Sequence, residues 1–316
     1  MSGHNDRTVA CAALRSYAVA PRRVRLAARS FNSIFRVTTD SAAYALRVGS
    51  RLPIHPAGTA AVEAAWHRRL RGHGLPVPGV LTNVDGQLTT LVPDGDQSRV
   101  CVLFDWVAGR SLRAGLTRRR SAALGALSAR LHQDAAAWSP PGAAEVLTAD
   151  QVLYWLLPDR LAEAGARFGY GTLFTDAAAR AQSVVDVLWR DPLHRPHLVH
   201  GDLTPANVIA VPHIGLVPID FQDTVLGLEV QDLSITVAAL RRLPDGGPFE
   251  HAFRVGYAGF RPWPHVSPDL FDSLVAARWL HQLNLTLNVT DAGGLDGYVA
   301  GHAERTRNWL RRPSGG

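Results

Sequence analysis

Lysine is missing from all 316 residues, so each of the 33 basic Lys or Arg positions is arginine. A Walker-type phosphate lysine and a Schiff-base lysine are thereby excluded. Only two cysteines occur, Cys11 and Cys101. They cannot build a disulfide framework or a cysteine-only zinc cage, and so low a count fits a cytoplasmic protein in a reducing compartment. No apolar run reaches the length of a transmembrane helix, so no membrane association is expected. The apolar stretch 9–14 follows Asp6 and Arg7 and is too short and wrongly flanked for a signal peptide. A Gly-x-Ser-x-Gly nucleophile elbow is also lacking. Arginines are scattered rather than gathered in a long arm with interleaved aromatics, so nucleic acid is not an expected partner. The net charge of +6 would still attract nucleotides and other anions. What remains is an ordinary apolar share of 47%, which excludes wholesale disorder and suffices for a sizeable core.

The first hundred residues read as strands around one helix. Segments 23–28, 34–39 and 44–48 alternate or carry β-branched and aromatic residues, with turn-prone Asp40-Ser41 between the last two. Residues 59–71 have helical spacing and stop at Gly72 and Gly74. Segments 77–81, 88–92 and 99–106 read as three further strands, punctuated by Asp85-Gly86 and Asp94-Gly95. A short helix over 6–17 precedes them. Beyond Gly109 helical periodicity takes over, at 121–137, 150–164, 176–189, 268–288 and 295–311. It is interrupted by a compact island of short apolar segments at 197–200, 207–211 and 216–221. The expected architecture is α+β: a small antiparallel-sheet part, residues 1–106, then a larger helical part, residues 107–316.

The island carries the chemistry. His200-Gly201-Asp202-Leu203-Thr204-Pro205-Ala206-Asn207 has the form H-x-D, four residues, N. Phosphoryl transfer needs an aspartate facing an acceptor hydroxyl and, five residues on, an asparagine turned back to a magnesium ion. Pro205 suits a rigid, non-helical loop between them. Thirteen residues beyond Asn207, the apolar strand Val217-Pro218-Ile219 ends in Asp220-Phe221. A carboxylate there completes an all-oxygen set of the kind magnesium prefers. The histidines at 194, 197 and 200 have a spacing that suits no zinc pair.

These two segments, His200–Asn207 and Ile219–Asp223, resemble the aminoglycoside phosphotransferase/choline kinase family, a branch of the protein-kinase-like fold. The likeness runs over about residues 20–290. In segments 102–109, 121–132 and 220–240 it is nearest to a bacterial branch with homoserine-kinase-like and stress-response-kinase-like proteins. Gly201 is typical of the small-molecule members.

The resemblance implies a bilobal kinase fold: a nucleotide-binding lobe, 1–106, and a catalytic and acceptor-binding lobe, 107–316. It further implies ATP or GTP with Mg2+ and a small-molecule hydroxyl acceptor, such as an aminoglycoside, an amino alcohol, a homoserine-like metabolite or a sugar. Asp202 would be the catalytic base, and Asn207 and Asp220 the metal ligands. Arg47 stands where the family usually has the phosphate-binding lysine. It keeps the charge but changes reach and geometry. Glu63, sixteen residues on, would be its ion-pair partner. Asn32 and Ser33 would cap the phosphates from a turn without glycine. Phe104 would back the purine pocket, and the backbone of Asp105 and Val107 would read the purine edge. Asp232 would anchor the catalytic loop. Arg278, His281, Trp263, Trp279, Glu229 and Asp223 are candidates for an acceptor pocket. Two rivals remain: a Ser/Thr protein kinase of the stress-response type and a nucleotide-binding pseudokinase. The first lacks an Ala-Pro-Glu segment after Asp220, and the second is at odds with intact Asp202, Asn207 and Asp220.

Overall fold

A computed structural model describes residues 2–290 and 294–312. In chain order the elements are α1 (Ser2–Leu14), β1 (Arg23–Arg29), β2 (Ser33–Thr38), β3 (Ala43–Val48), α2 (Thr59–Gly72), β4 (Thr90–Asp94), β5 (Gln97–Asp105) and β6 (Arg110–Ser111). Then follow α3 (Arg118–Ala136), α4 (Leu161–Arg167), α5 (Leu173–Arg190), β7 (His197–Val199), β8 (Val208–Val211), β9 (Gly215–Pro218) and β10 (Val225–Gly227). The chain closes with α6 (Glu229–Leu240), α7 (Gly246–Ala258), α8 (Pro268–Val289) and α9 (Asp296–Leu310). An antiparallel-sheet part thus precedes a helical part, as the sequence pattern implies.

Two compact units form, each discontinuous along the chain. The first gathers Met1–Gly115, Ser139–Val146 and Ala206–Gln222. Its main sheet has the order β1-β2-β3-β5-β4, all antiparallel. The inward residues Phe35, Val37, Leu46, Val48, Val92, Cys101 and Leu103 alternate along their strands and form one core with Val9, Ala13, Leu14 and Tyr17 from α1. The sheet therefore packs a second helix, α1, besides α2. Charge pins α1 in place: Asp6 accepts from Ser33, Arg29 and Arg99, and Asn5 donates to Asp94. A smaller sheet, β6-β8-β9, completes this unit.

One expected strand is absent. Residues 77–81 make only the bridge Val80–Phe104. Pro76 and Pro78 have no N–H to give a ladder, so the segment runs alongside β5 without joining it.

The second unit gathers Leu116–Trp138, Leu147–Pro205 and Asp223–Gly316. Thr117 caps α3 by accepting from the Arg120 N–H, and Ser267 caps α8 in the same way. Helix α3 crosses α7 closely at Gly125, where a methyl group would lie 2.0 Å from the Phe253 carbonyl oxygen. The helix expected over 150–164 forms only as α4. Upstream, Ala149 donates to Leu226, Leu226 donates to Leu147, and Val152 donates to the Gln182 side chain. Pro158 also disfavours helical backbone at the residue before it. Tertiary hydrogen bonds hold 147–159 irregular, and this places Tyr154 and Trp155 on His281 of α8.

Candidate active site

In the first unit, β2 and β3 pair so that Ile34 faces Arg47. Alternation along β3 and the helical turn of α2 bring the Arg47 guanidinium to Glu63. The two residues make a paired, buried salt bridge, with Nη1 donating to Oε1 at 2.7 Å and Nη2 to Oε2. Phe104 packs behind, its ring 5.5 Å from the Arg47 guanidinium and 5.3 Å from the His67 ring. A pocket of about 360 Å³ opens beside the pair, lined by Asn32, Gly49, Ser50, Ile54 and Gln222 among others. Asn32 is fixed across its mouth: its amide donates to Gln222, and its carbonyl accepts from the Ser50 N–H at 2.9 Å. Ser33 is oriented differently, as its hydroxyl donates to Asp6 at 2.7 Å.

The Asp105 N–H is spent on the Gly79 carbonyl at 2.8 Å, and its carboxylate accepts from the Gly79 N–H and Arg71. No hydrogen bond ties down the Val107 N–H among the described residues. Also in this unit, the Ile219 N–H donates to the Asn207 carbonyl at 2.9 Å, extending the β8–β9 ladder by one step. Asn207 and Asp220 thus leave neighbouring strand ends. Asp220 has φ +63°, a conformation that an L residue adopts at a cost and that turns its side chain off the strand path. Among the described residues no three of His, Cys, Asp and Glu gather into a metal-binding group. An amide and a carboxylate oxygen suit a hard cation, but only with further oxygens from a bound ligand.

In the second unit, Asp202 follows Gly201, and only glycine fits there. Its φ is +76°, and a methyl group would lie 2.0 Å from the Asp223 carbonyl oxygen. Asp232, buried on α6, accepts from the Gly201 N–H at 2.8 Å and meets His132 Nε2 at 3.0 Å. Burial alone would raise its carboxyl, but His132, His200 and the Gly201 N–H together outweigh this and hold it below the usual range. The network continues: His132 Nδ1 lies 3.0 Å from the Tyr257 hydroxyl, which donates to Glu229. Glu229 also takes His197 and Arg261. Burial again favours the neutral form, and these partners reverse it. So Glu229 is occupied structurally, and His197 serves a carboxylate rather than a metal. Trp263 packs among Phe253, Tyr257 and Phe271.

Sequence reasoning did not single out His132. Its partner is 100 positions away, and only its place on the inner face of α3 hinted at a role. Nor did it foresee that Arg278 donates to Asp202 at 2.6 Å.

Comparisons place the chain among known proteins. A profile of a phosphotransferase enzyme family matches residues 24–268. No curated protein matches by sequence. Among solved structures, a microcompartment-associated aminopropanol kinase is 25% identical, with TM-score 0.75 and 95% of each chain covered. Amicoumacin kinase, solved with AMP-PNP and calcium, is 18% identical, with TM-score 0.79, covering 97% of this chain and 94% of that one. An aminoglycoside phosphotransferase from Alicyclobacillus acidocaldarius is 17% identical, with TM-score 0.56, covering 95% and 93%. The antiparallel sheet followed by helices is the fold these kinases share. No helix among the described residues is long and apolar enough to cross a membrane.

Proposed function

The chain belongs to the phosphotransferase enzyme family, as an ATP-dependent small-molecule kinase, and from that premise we propose that it moves the γ-phosphoryl group of ATP or GTP to a hydroxyl of a small molecule. Residues 1–106 serve the nucleotide, and residues 107–316 serve catalysis and the acceptor. The observation that carries this reading is the buried Arg47–Glu63 pair beside a pocket of about 360 Å³. A buried ion pair seldom adds net stability over apolar packing. Its value here is to hold a guanidinium rigid where phosphate oxygens arrive.

Asp202 accepts the proton of the acceptor hydroxyl. The acceptor oxygen bonds to the γ-phosphorus as the bond to the bridging oxygen breaks, and the nucleoside diphosphate leaves with that electron pair. Arg47, steadied by Glu63, neutralises phosphate charge that would repel the nucleophile. The backbone of the Asn32–Ser33 turn covers the phosphates, with the Asn32 amide held ready by Ser50 and Gln222. Phe104 bounds the purine, and the backbone of Asp105 and Val107 reads its edge. Asn207 and Asp220 would hold magnesium, which offsets β- and γ-phosphate charge when bound. The donor ATP and the two free cysteines agree with a cytoplasmic enzyme.

The test is Mg2+-dependent ATP turnover against a panel of aminoglycosides, amino alcohols, hydroxy acids and sugars, with Asp202→Asn alongside. Loss of a positioned base is expected to lower the rate by about 10²–10⁴. Phosphorylation of protein substrates alone would favour the protein-kinase rival. Nucleotide binding with equal, negligible turnover in both proteins would favour the pseudokinase.

A further inference from the structure

Asp6 stands on α1, ahead of the residues 24–268 that the family profile matches. Its carboxylate is buried and meets three donors. Oδ2 accepts from Ser33 Oγ at 2.7 Å and from Arg29 Nη2 at 2.9 Å, and Oδ1 accepts from Arg99 Nη2 at 3.2 Å. Arg29 and Ser33 form the last paired step of β1 and β2. The turn Ser30-Phe31-Asn32, assigned above to the phosphates, leaves from that step. One carboxylate oxygen therefore grips both ends of the turn, and Arg29 Nε also donates to Ser33 Oγ at 3.3 Å.

A second route leads to the tip of the turn. Buried Arg99 gives its Nε to the Gly49 carbonyl. The next residue, Ser50, donates its N–H to the Asn32 side chain at 2.9 Å. Asn32, Gly49 and Ser50 all line the pocket beside Arg47. Asp94 steadies the same arginine, accepting from Nη1 at 3.0 Å, and Asn5 of α1 donates to Asp94 at 2.7 Å.

Strand alternation fixes the side from which this hold comes. Ser33 shares a face with Phe35 and Val37, which pack on α1, whereas Ile34 shares its face with Arg47. Asp6 thus acts from behind the sheet, through the turn. A turn of three residues without ladder pairing has conformational freedom that phosphate binding must remove. Fixing it beforehand raises affinity, because binding then orders less of the chain.

The geometry points to Asp6 as a positioning residue for the donor nucleotide, setting the phosphate-covering turn from α1. This rests on the phosphotransferase reading. The same contacts anchor α1, so the test separates nucleotide affinity from stability.

The experiment is isothermal titration of the full chain with Mg·AMP-PNP or Mg·GMP-PNP, whichever wild type binds tighter, and with the matching nucleoside. In Asp6→Asn, Kd for the triphosphate analogue is expected to rise about tenfold, as for one lost charge-assisted hydrogen bond. Kd for the nucleoside should stay within about twofold, since it offers the turn no phosphate to cover. Ser33→Ala leaves every ion pair in place and should shift the triphosphate Kd the same way by about threefold. It decides the matter if Asp6→Asn does not fold. Val9→Ala thins the packing of α1 on the sheet. It should lower the melting temperature and leave both Kd values within about twofold. Equal losses for nucleoside and triphosphate, a Val9→Ala loss matching that of Asp6→Asn, or unchanged affinity in Asp6→Asn and Ser33→Ala would each overturn the assignment. Tighter triphosphate binding in Asp6→Asn would also overturn it, by showing that Asp6 keeps Arg29 from the phosphates. Wild type that binds neither nucleotide would instead overturn the phosphotransferase reading, and this inference with it.

Discussion

Asp232 holds the backbone N–H of Gly201 at 2.8 Å with one carboxylate oxygen and meets the ring of His132 at 3.0 Å with the other. The residue next to the proposed base is thereby tied to α6 and, through His132, to α3. Since Gly201 has a left-handed backbone, the turn before Asp202 needs both the missing side chain and this acceptor.

Replacing Asp232 separates these two tasks. Asp232→Ala removes a buried partner from Gly201 and His132 and is expected to cost about 3–5 kcal/mol. Asp232→Asn keeps an acceptor for Gly201 and should cost less. In the asparagine variant kcat should fall while KM for ATP holds, because the change reaches only the loop that aims Asp202. Denaturant unfolding and steady-state kinetics check both. A loss confined to KM for ATP would contradict the assignment.

The Arg47–Glu63 pair makes an asymmetric prediction. Arg47→Ala leaves Glu63 buried and unpaired, an expected loss of about 3–5 kcal/mol. Arg47→Lys keeps the charge but not the fork. It should unfold close to wild type while KM for the nucleotide rises about tenfold. Equilibrium unfolding within about 1 kcal/mol of wild type for Arg47→Ala would show that α2 and β3 do not depend on the pair.

Acid sensitivity should begin with His302. Burial, then the charges of Arg305 and Arg242, push its imidazole down to about 3. An unfolded histidine titrates near ~6.5. Between those values the unfolded chain binds a proton that the folded chain refuses. Stability from this group is therefore complete above the unfolded value and falls as pH drops, by about 2 kcal/mol at pH 5. Glu229, with its depressed carboxyl, adds its own loss only at lower pH. Melting curves between pH 7.5 and 5 should slope downward for wild type and flatten in His302→Leu. An unchanged slope in the variant would assign the sensitivity elsewhere.

Residues 34–48 were legible because β-branched and aromatic residues cluster around a turn, and α2 was legible because Ala, Leu and Trp recur at helical spacing. Residues 77–81 read as a strand by composition, yet two prolines deny the ladder its donors. Residues 150–164 have a helical pattern, yet hydrogen bonds to Gln182 and Leu226 outcompete it. Local pattern reports what a segment can do alone, and here distant partners decided.

The sequence by itself determined the chemistry available. The spacing of Asp202, Asn207 and Asp220 offers oxygen ligands to a cation, and in a chain without lysine arginine is the permanently charged side chain left to meet a phosphate. Pairing along β2 and β3 followed from alternation, a property of adjacent residues. Only the tertiary structure decided that Glu63 closes on Arg47, that Asp232 and His132 brace Gly201, and that Arg278 reaches Asp202. The last three partnerships join residues 31 to 100 positions apart. Burial and charge compensation at such separations depend on packing, which no local periodicity encodes.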